Sequence, residues 1–435
     1  MKIVEMRVHP IAIADPPLRS SYGLHQPYAL RTILELVSDE GLIGIAETHG
    51  GDAITGGFQA LQGRIIGADP FRLAGLLIDL VEGDVQGSSL DRSQTFHVPG
   101  ENPLDLKQRL YSALEIASLD LCGRALKKPV CDLLGGRVRD EVAFSAYPFY
   151  KHAGGGGEGE DARPDIYGEA LAPEPLVRQV KQMIAEYGFK DIKFKTGVLY
   201  PEIEIETVRQ LHSAFPRLPI RMDPNCAWSV ETSIRVGKAL RKELGNGGYL
   251  EDPTAGMDAM ATVRRRLLEA GVQTPLGSNV AVTCFPDLAE AVEKRAVQVV
   301  LSDVHYWGGL RATQQLGKLC KTFGLGLSMH SNSHLGISVM TMAHAAAVTP
   351  HLTYACDTHY PWSDPKDEVI LGGKVKFHGG AVRIPDRPGL GVDLDPDQLA
   401  RGRERFVKCP YRKRDDTAEM RKHVDPNWTR ILPRW

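Results

Sequence analysis

The sequence predicts an α/β protein, a (β/α)8 TIM-type barrel carrying the active site, preceded by an α+β capping segment. Three observations carry that expectation. The chain has 435 residues, more than one small domain needs, and a (β/α)8 barrel takes up about 250 of them. From residue 142 onward, short apolar runs alternate with amphipathic stretches of helical length, the rhythm of a parallel sheet with crossover helices. Seven of the runs close on a polar residue: Lys195, Asp223, Glu251, Asn279, Asp303, His330 and Asp357, spaced 24 to 28 residues apart. One strand–helix–strand step takes about 30 residues. In a barrel such positions fall at the C-terminal ends of the strands, where active sites form.

Each element follows in order. Residues 1–50 read as strands. Thr32 to Val37 and Leu42 to Ala46 flank Ser38-Asp39-Glu40-Gly41, a short turn with a glycine for positive φ, so an antiparallel hairpin is expected. Residues 54–85 have helical character, and 86–103 are polar and rich in Gly and Ser, as in a mobile loop. Leu110, Leu114, Ala117, Leu121 and Ala125 make one apolar helix face, closed by Pro129 and Gly135-Gly136. The cap therefore takes residues 1–137. The barrel takes 138–375. Its first strand is VAFSAYPF (142–149), followed by a flexible glycine-rich insert at Gly154 to Gly157 and a helix from Pro173 to Tyr187. The further runs are DIKFK, LPIRMD, GGYLED, TPLGSN, VQVVLSD, GLGLSMH and LTYACD, and Glu202 to Phe215, Ser229 to Leu244 and Leu310 to Phe323 are of helix length. Residues 376–435 lack the rhythm and are expected to return to the cap and cover the barrel mouth.

Composition removes several classes of function. The hydrophobic fraction of 43% and charged fraction of 24% are ordinary for a globular chain. A formal net charge of −2 argues against a nucleic-acid binder, which needs a basic surface. No apolar run approaches the ~18 residues of a membrane span. The first residues alternate like a strand and lack a signal-peptide pattern. Seven scattered cysteines, an odd number with no C-x-x-C, argue against a disulfide framework or a cysteine zinc site. A reducing cytoplasm is the expected location.

The strand ends supply the chemistry. Asp223, Glu251 and Asn279 end three successive runs, and three oxygen donors from neighbouring strands suit a hard divalent cation, with Mg²⁺ the default. The plain alternative is that Asp223 caps a helix and Glu251 pairs with a basic residue. Lys193 and Lys195 are two apart on a strand and share a face; mutual repulsion and burial would lower a lysine pKa and free an amine to act as base. Asp303 and His330 end consecutive runs opposite Lys195, and a carboxylate on one imidazole nitrogen fixes the tautomer and raises basicity at the other. A lysine and a His–Asp dyad could then bracket a substrate carbon. His330 and His334, at i and i+4, could instead ligate zinc, although no HExxH context supports it. His25, His359 and Arg414 are donors that a substrate with a second anionic end would need.

KFK, DPN, YLEDP, GSN, LSDVHYWGG, MHSNSHLGIS and DTHYPW occur in an order and spacing that resembles the enolase superfamily and, within it, the glucarate dehydratase subgroup. ALEIASLDLCGRALKKPVCDLLGG (113–136) resembles the cap-to-barrel segment of that superfamily. The resemblance implies an enolase-like fold, a modified (β/α)8 barrel with an α+β cap. It implies Mg²⁺ on Asp223, Glu251 and Asn279, with an amide where many members carry a third carboxylate. Lys195 would be one base with Lys193 beside it, and His330 with Asp303 the other acid/base. Asn225 would help hold the enolate oxygen. His25, Tyr147, Phe149, Asn332, His359 and Arg414 match positions around a diacid substrate. A homo-oligomer is implied as well. Ser20, Cys226 and Thr196 depart from the pattern, which often has Asn, Gly and Gly there.

The implied activity is dehydration of an acid sugar, D-glucarate first. A cation on the substrate carboxylate makes the α-hydrogen acidic. Lys195 or His330 removes it, and the imidazolium of His330 protonates the departing β-hydroxyl to give a 2-keto-3-deoxy acid. Opposed bases could also serve a racemase or epimerase, or the site could bind sugar acids without turnover.

Overall fold

The computed structural model describes residues 1–72, 75 and 103–435. The loop expected at 86–103 and the helical stretch beyond residue 72 therefore lie almost wholly outside the described residues.

The chain opens with an antiparallel three-stranded sheet, β1 (Ile3–Ala14), β4 (Tyr28–Ser38) and β5 (Ile43–His49), in the order β1-β4-β5. The tiny hairpin of β2 (Arg19–Ser20) and β3 (Gly23–Leu24) interrupts it. The β4–β5 turn is the one the sequence signals: Gly41 sits at φ 77° and its N–H donates to the Ser38 carbonyl. Helices α1 (Asp52–Ile65) and α2 (Pro103–Leu126) follow, with α2 packed on β5. The expected apolar stripe of α2 is buried along Leu110, Leu114, Ala117 and Leu121. Pro129 does not simply close this segment; it precedes a one-turn helix, α3 (Val130–Leu133).

The barrel strands β7 (Ile192–Lys195), β8 (Ile220–Asp223), β9 (Leu250–Glu251), β10 (Leu276–Ser278), β11 (Val299–Ser302) and β12 (Gly326–Met329) form one parallel sheet in sequential order. Between them run α4 (Pro173–Tyr187) ahead of β7, then α5 (Pro201–Ala214), α6 (Val230–Ala239), α7 (Met257–Glu269), α8 (Phe285–Lys294) and α9 (Gly309–Phe323), with α10 (Gly336–Ala347) after β12. Local chemistry sets these bounds. Pro173 and Pro201 open α4 and α5, where a missing N–H costs nothing, and Gly188 in the left-handed conformation ends α4. Ser229 caps α6 by accepting from the Thr232 N–H. Every residue of α10 is buried, because it lies between β5 of the cap and the barrel.

The first and eighth strands are shorter than the sequence implies. Only Glu141–Ala143 is a regular strand, β6, and it pairs antiparallel with β13 (Ala381–Arg383). Residues 144–149 join the barrel by single parallel bridges, Phe144 to Cys356, Ala146 to Ile192 and Phe149 to Lys195. The run 352–357 is no regular strand, yet Asp357 N–H donates to the Met329 carbonyl and Cys356 N–H to Ala143. These bonds close the ring from 144–149 through β7–β12 to 352–357. Pro148 has no N–H to give, which limits a continuous ladder there.

The C-terminal part divides its contacts. Its β13 pairs with β6, while α11 (Pro396–Lys408) packs on β1 and α12 (Asp416–His423) against β3. The last residues reach the loop after β8, where Ser229 N–H donates to the Trp435 carbonyl. The flexible insert expected at Gly154 to Gly157 is instead tied down by hydrogen bonds and close packing. Gly154 N–H donates to Asp165, Gly157 N–H to Pro27, and a Cβ on Gly156 would stand 2.5 Å from the Asp15 backbone. The glycines serve close approach to the 15–27 segment.

Candidate active site

The strand ends converge as expected. Lys193 and Lys195 lie on one face of β7 and point inward. Lys195 Nζ is 2.8 Å from Asp223 Oδ2, which also accepts from the Tyr147 hydroxyl at 2.8 Å. Lys193 Nζ lies 2.7 Å from each oxygen of Glu251, 2.6 Å from Asp357 Oδ2 and 3.4 Å from Asp223. Glu251 Oε1 stands 3.1 Å from the Asn279 amide, whose other end is 3.1 Å from His330 Nε2. His330 Nδ1 is 2.9 Å from Asp303 Oδ2. One unbroken chain of contacts thus runs from Lys195 through the three oxygen donors to His330 and Asp303.

The electrostatics differ between the two lysines' neighbours. Burial works against the charge of Lys193, but Asp357, Glu251 and Asp223 hold its pKa well above the ordinary value. The lowered lysine pKa expected from the K-x-K pair does not hold at Lys193, because its neighbours are carboxylates that favour the charged form. Burial would raise Asp223, yet Lys195 and then Lys193 keep it below the usual carboxylate range. Burial first, and the nearby Asp223, push Glu251 well up. Asp303 is buried, but His305 and then His330 hold it well below the ordinary range. Burial lowers His359 well below its usual value, with His334 and His25 adding to the effect.

The donor set fits a hard cation. With its NH2 toward Glu251 Oε1 and Asp252 Oδ2 and its carbonyl toward His330, the Asn279 amide is fully hydrogen-bonded. Turned over, its oxygen would stand beside Glu251 Oε1, an oxygen pair that a bound cation would stabilise. Two carboxylates and one amide oxygen suit Mg²⁺. Among the described residues no three His, Cys, Asp or Glu side chains group to hold an ion by themselves. The zinc alternative loses its geometry. His334 Nε2 bonds Thr358 at 2.9 Å while His330 faces Asp303 and Asn279.

The remaining candidates fall into two groups. Asn225 donates through Nδ2 to Asp223 Oδ1 at 2.8 Å. Phe149 packs its ring 4.7 Å from Tyr147 and 5.2 Å from His359, centroid to centroid, and His25 lies 5.9 Å from Phe149. His359 Nδ1 is 3.1 Å from Ser331 Oγ, and Asn332 Nδ2 donates to His49 Nε2 at 2.9 Å. His25 also bonds Asp15 at 3.0 Å. Arg414 stands further out, tied to Asp416 by two bonds of 2.6 and 2.5 Å. Of the departures, Thr196 needs no left-handed backbone, whereas Gly197 (φ 76°) does, and its Cβ would meet the Pro224 carbonyl at 2.4 Å. Cys226 holds φ 63° where glycine would be at ease. Ser20 accepts from the Tyr22 N–H, and its neighbour Ser21 donates to the Asn225 carbonyl.

Two residues of the site carry no expectation from the sequence: Asp252, which accepts from Ser278 and the Asn279 N–H, and His305, on the second oxygen of Asp303; Asp357, expected only as a strand-end residue, is the partner of Lys193. His305 sits in LSDVHYWGG, two residues after Asp303. That spacing, in a loop rather than a strand, was the available signal.

The structure sets a lysine and a His–Asp pair on either side of three oxygen-bearing side chains in a cap-and-barrel fold, and comparison with known proteins gives the family of that fold. The enolase C-terminal domain-like family matches residues 175–398. A probable glucarate dehydratase of Streptomyces coelicolor is 44% identical over 440 residues, covering 100% of this chain and 99% of its own. A solved enolase from Pseudomonas fluorescens with bound magnesium, potassium and tartrate has a TM-score of 0.91 at 46% identity, covering 100% and 99% of the two chains. One from Thermobispora bispora, with magnesium and formate, has 0.90 at 46%, covering both chains fully. The class is that of the lyases that remove water. The chain belongs to the enolase superfamily, and the magnesium expected from its sequence is the metal bound in those two relatives.

Proposed function

We propose that the chain is a Mg²⁺-dependent acid-sugar dehydratase acting on aldarates, with D-glucarate as first substrate. The observation that carries this reading is the contact chain from Lys195 through Asp223, Lys193, Glu251 and Asn279 to His330. It supports a base at Lys195 and an acid at His330 on opposite sides of one donor triad. Asp223, Glu251 and Asn279 would hold the ion. Mg²⁺ there supplies a Lewis acid that lowers the cost of negative charge growing on the substrate carboxylate.

The protein's own groups do the rest. Lys195 takes the α-proton on its face. Lys193, a buried fixed cation, favours the added charge without taking a proton. Asn225 orients Asp223 and offers its amide to the growing charge. His330, held in its Nδ1–H tautomer by Asp303 Oδ2, presents Nε2 to the β-hydroxyl and as imidazolium protonates it as it leaves. For the epimer with the opposite α-configuration, His330 is the base. Tyr147, Phe149, Asn332 and His359 line the mouth, and His25 with Arg414 meets the distal carboxylate. The probable glucarate dehydratase relative supports that substrate choice. The seven cysteines are all unpaired and buried, which supports a cytoplasmic location, and no helix among the described residues is long and apolar enough to cross a membrane.

The test is incubation of mono- and diacid sugars with Mg²⁺ and assay of 2-keto acid. A 2-keto acid from D-glucarate is expected. An epimer alone would make the chain an epimerase, and full retention of the α-hydrogen in D₂O across the panel would make it a binder.

A further inference from the structure

Asp303 carries an imidazole on each oxygen. His330 Nδ1 is 2.9 Å from Oδ2, while both the ring Nδ1 and the backbone N–H of His305 stand 2.8 Å from Oδ1. On its far side His305 Nε2 lies 2.9 Å from Ser338 Oγ, and Arg31 Nη2 donates to that Oγ at 3.4 Å. An arginine has no acceptor. The Ser338 hydroxyl hydrogen is therefore free to point at His305 Nε2, which leaves the His305 proton on Nδ1, facing Asp303. The direction of every hydrogen bond from the cap residue Arg31 to Asp303 is then fixed. All four side chains are buried, and the His49 ring packs edge-on against His305 at 5.7 Å.

We propose that His305 is a positioning residue for the His330–Asp303 pair, pinning one carboxylate oxygen so that the other aims at His330 Nδ1, with Ser338 and Arg31 fixing its tautomer. The proposal rests on the reading of His330 as the acid for the departing hydroxyl. The hydrogen bonds of His305 run to Asp303 and Ser338, not to Lys195 or the oxygen triad. Its loss should therefore slow the steps of His330 and spare those of Lys195. Asparagine places an amide nitrogen near the position of Nδ1 and can still donate; leucine cannot.

In His305→Leu, kcat for 2-keto acid formation from D-glucarate should fall about 10- to 100-fold with KM little changed. Exchange of the α-hydrogen in D₂O, which Lys195 carries out, should continue within about threefold of the parent rate. His305→Asn should recover most of the loss, and Ser338→Ala should show a smaller drop. A readout independent of turnover is the imidazole ¹⁵N–¹H spectrum of the full chain. The His330 Nδ1–H should be protected from solvent in the parent and in His305→Asn, and exchange faster in His305→Leu. Parallel loss of exchange and dehydration, undiminished dehydration, or an unchanged His330 Nδ1–H in His305→Leu overturns the proposal. A parent that neither exchanges nor dehydrates any aldarate overturns the functional reading instead, and the spectra alone then decide the role of His305.

Discussion

Lys193 Nζ and Asp357 Oδ2 meet at 2.6 Å with neither side chain exposed. Asp357 also faces Arg221 at 3.3 Å, so it is a shared counter-ion for two buried cations. Breaking a buried pair costs about 3–5 kcal/mol where the remaining charge is left alone; here Lys193 keeps Glu251 and Arg221 keeps Asp191, so that figure is an upper bound. Asp357→Ala should lower the urea unfolding free energy at pH 7 by about 1–3 kcal/mol, and an unchanged midpoint would remove the counter-ion role.

Lys195 and His330 should separate the two halves of the reaction. With D-glucarate, Lys195→Met should abolish both α-hydrogen exchange and 2-keto acid formation. His330→Gln should keep exchange but slow dehydration by about 10²–10⁴-fold, the usual share of a general acid. Near-native dehydration in both variants would refute the assignment of base and acid.

The placement of those two residues is legible in the sequence because strand ends repeat at regular intervals and a parallel barrel turns that interval into adjacency. The same logic reached Asp223, Glu251, Asn279 and Asp303. It did not reach His305, which enters from a loop two residues past a strand end, where periodicity carries no information. Nor did it fix the charge state of Lys193. The K-x-K spacing shows two ammonium groups on one face, but the carboxylates of Asp357, Glu251 and Asp223 come from segments distant in sequence and outweigh the repulsion. The outer strands were misjudged in length because an apolar run does not reveal whether its partners offer a ladder; 144–149 and 352–357 close the ring by bridges alone.

Asn279 sets the charge of the triad. Two carboxylates and an amide around Mg²⁺ are formally neutral, whereas Asn279→Asp adds a negative charge a few ångströms from a doubly anionic substrate. At an effective dielectric near 20, that repulsion is about 2–3 kcal/mol. The KM for D-glucarate in Asn279→Asp should rise by one to two orders of magnitude, and for a mono-acid sugar by less. Steady-state kinetics on both substrates decide the matter, and an unchanged diacid KM would count against the charge argument.

Metal removal should be visible without turnover. A ligand that binds only the folded state stabilises it by about 2.7 kcal/mol at a hundred times its Kd. Chelation of a Mg²⁺-saturated sample should therefore lower Tm, and added Mg²⁺ should restore it. Asp223→Asn should lose most of this response. A Tm indifferent to Mg²⁺ in the parent would place the ion elsewhere or nowhere.

Glu204 gives a pH dependence with a definite sign. Its carboxylate accepts from the backbone N–H groups of Gly197, Val198 and Leu199, and so holds the loop that follows Lys195. Burial, only partly offset by those N–H groups, raises its pKa from 4.5 to about 7. The folded state then binds the proton more tightly than the unfolded chain. Its contribution is fully present below pH 4.5 and is lost as pH rises through 7, a loss of about 3 kcal/mol by linkage. Glu115 and Glu368, also raised to about 7 by burial, act in the same direction, so the parent alone cannot isolate one group. The difference between the parent and Glu204→Gln can. Relative to the variant, the parent should lose stability between pH 5 and 7.5, read from urea midpoints at each pH. Parallel curves would show that Glu204 is ionised in the folded protein throughout that range and that the three N–H groups outweigh its burial.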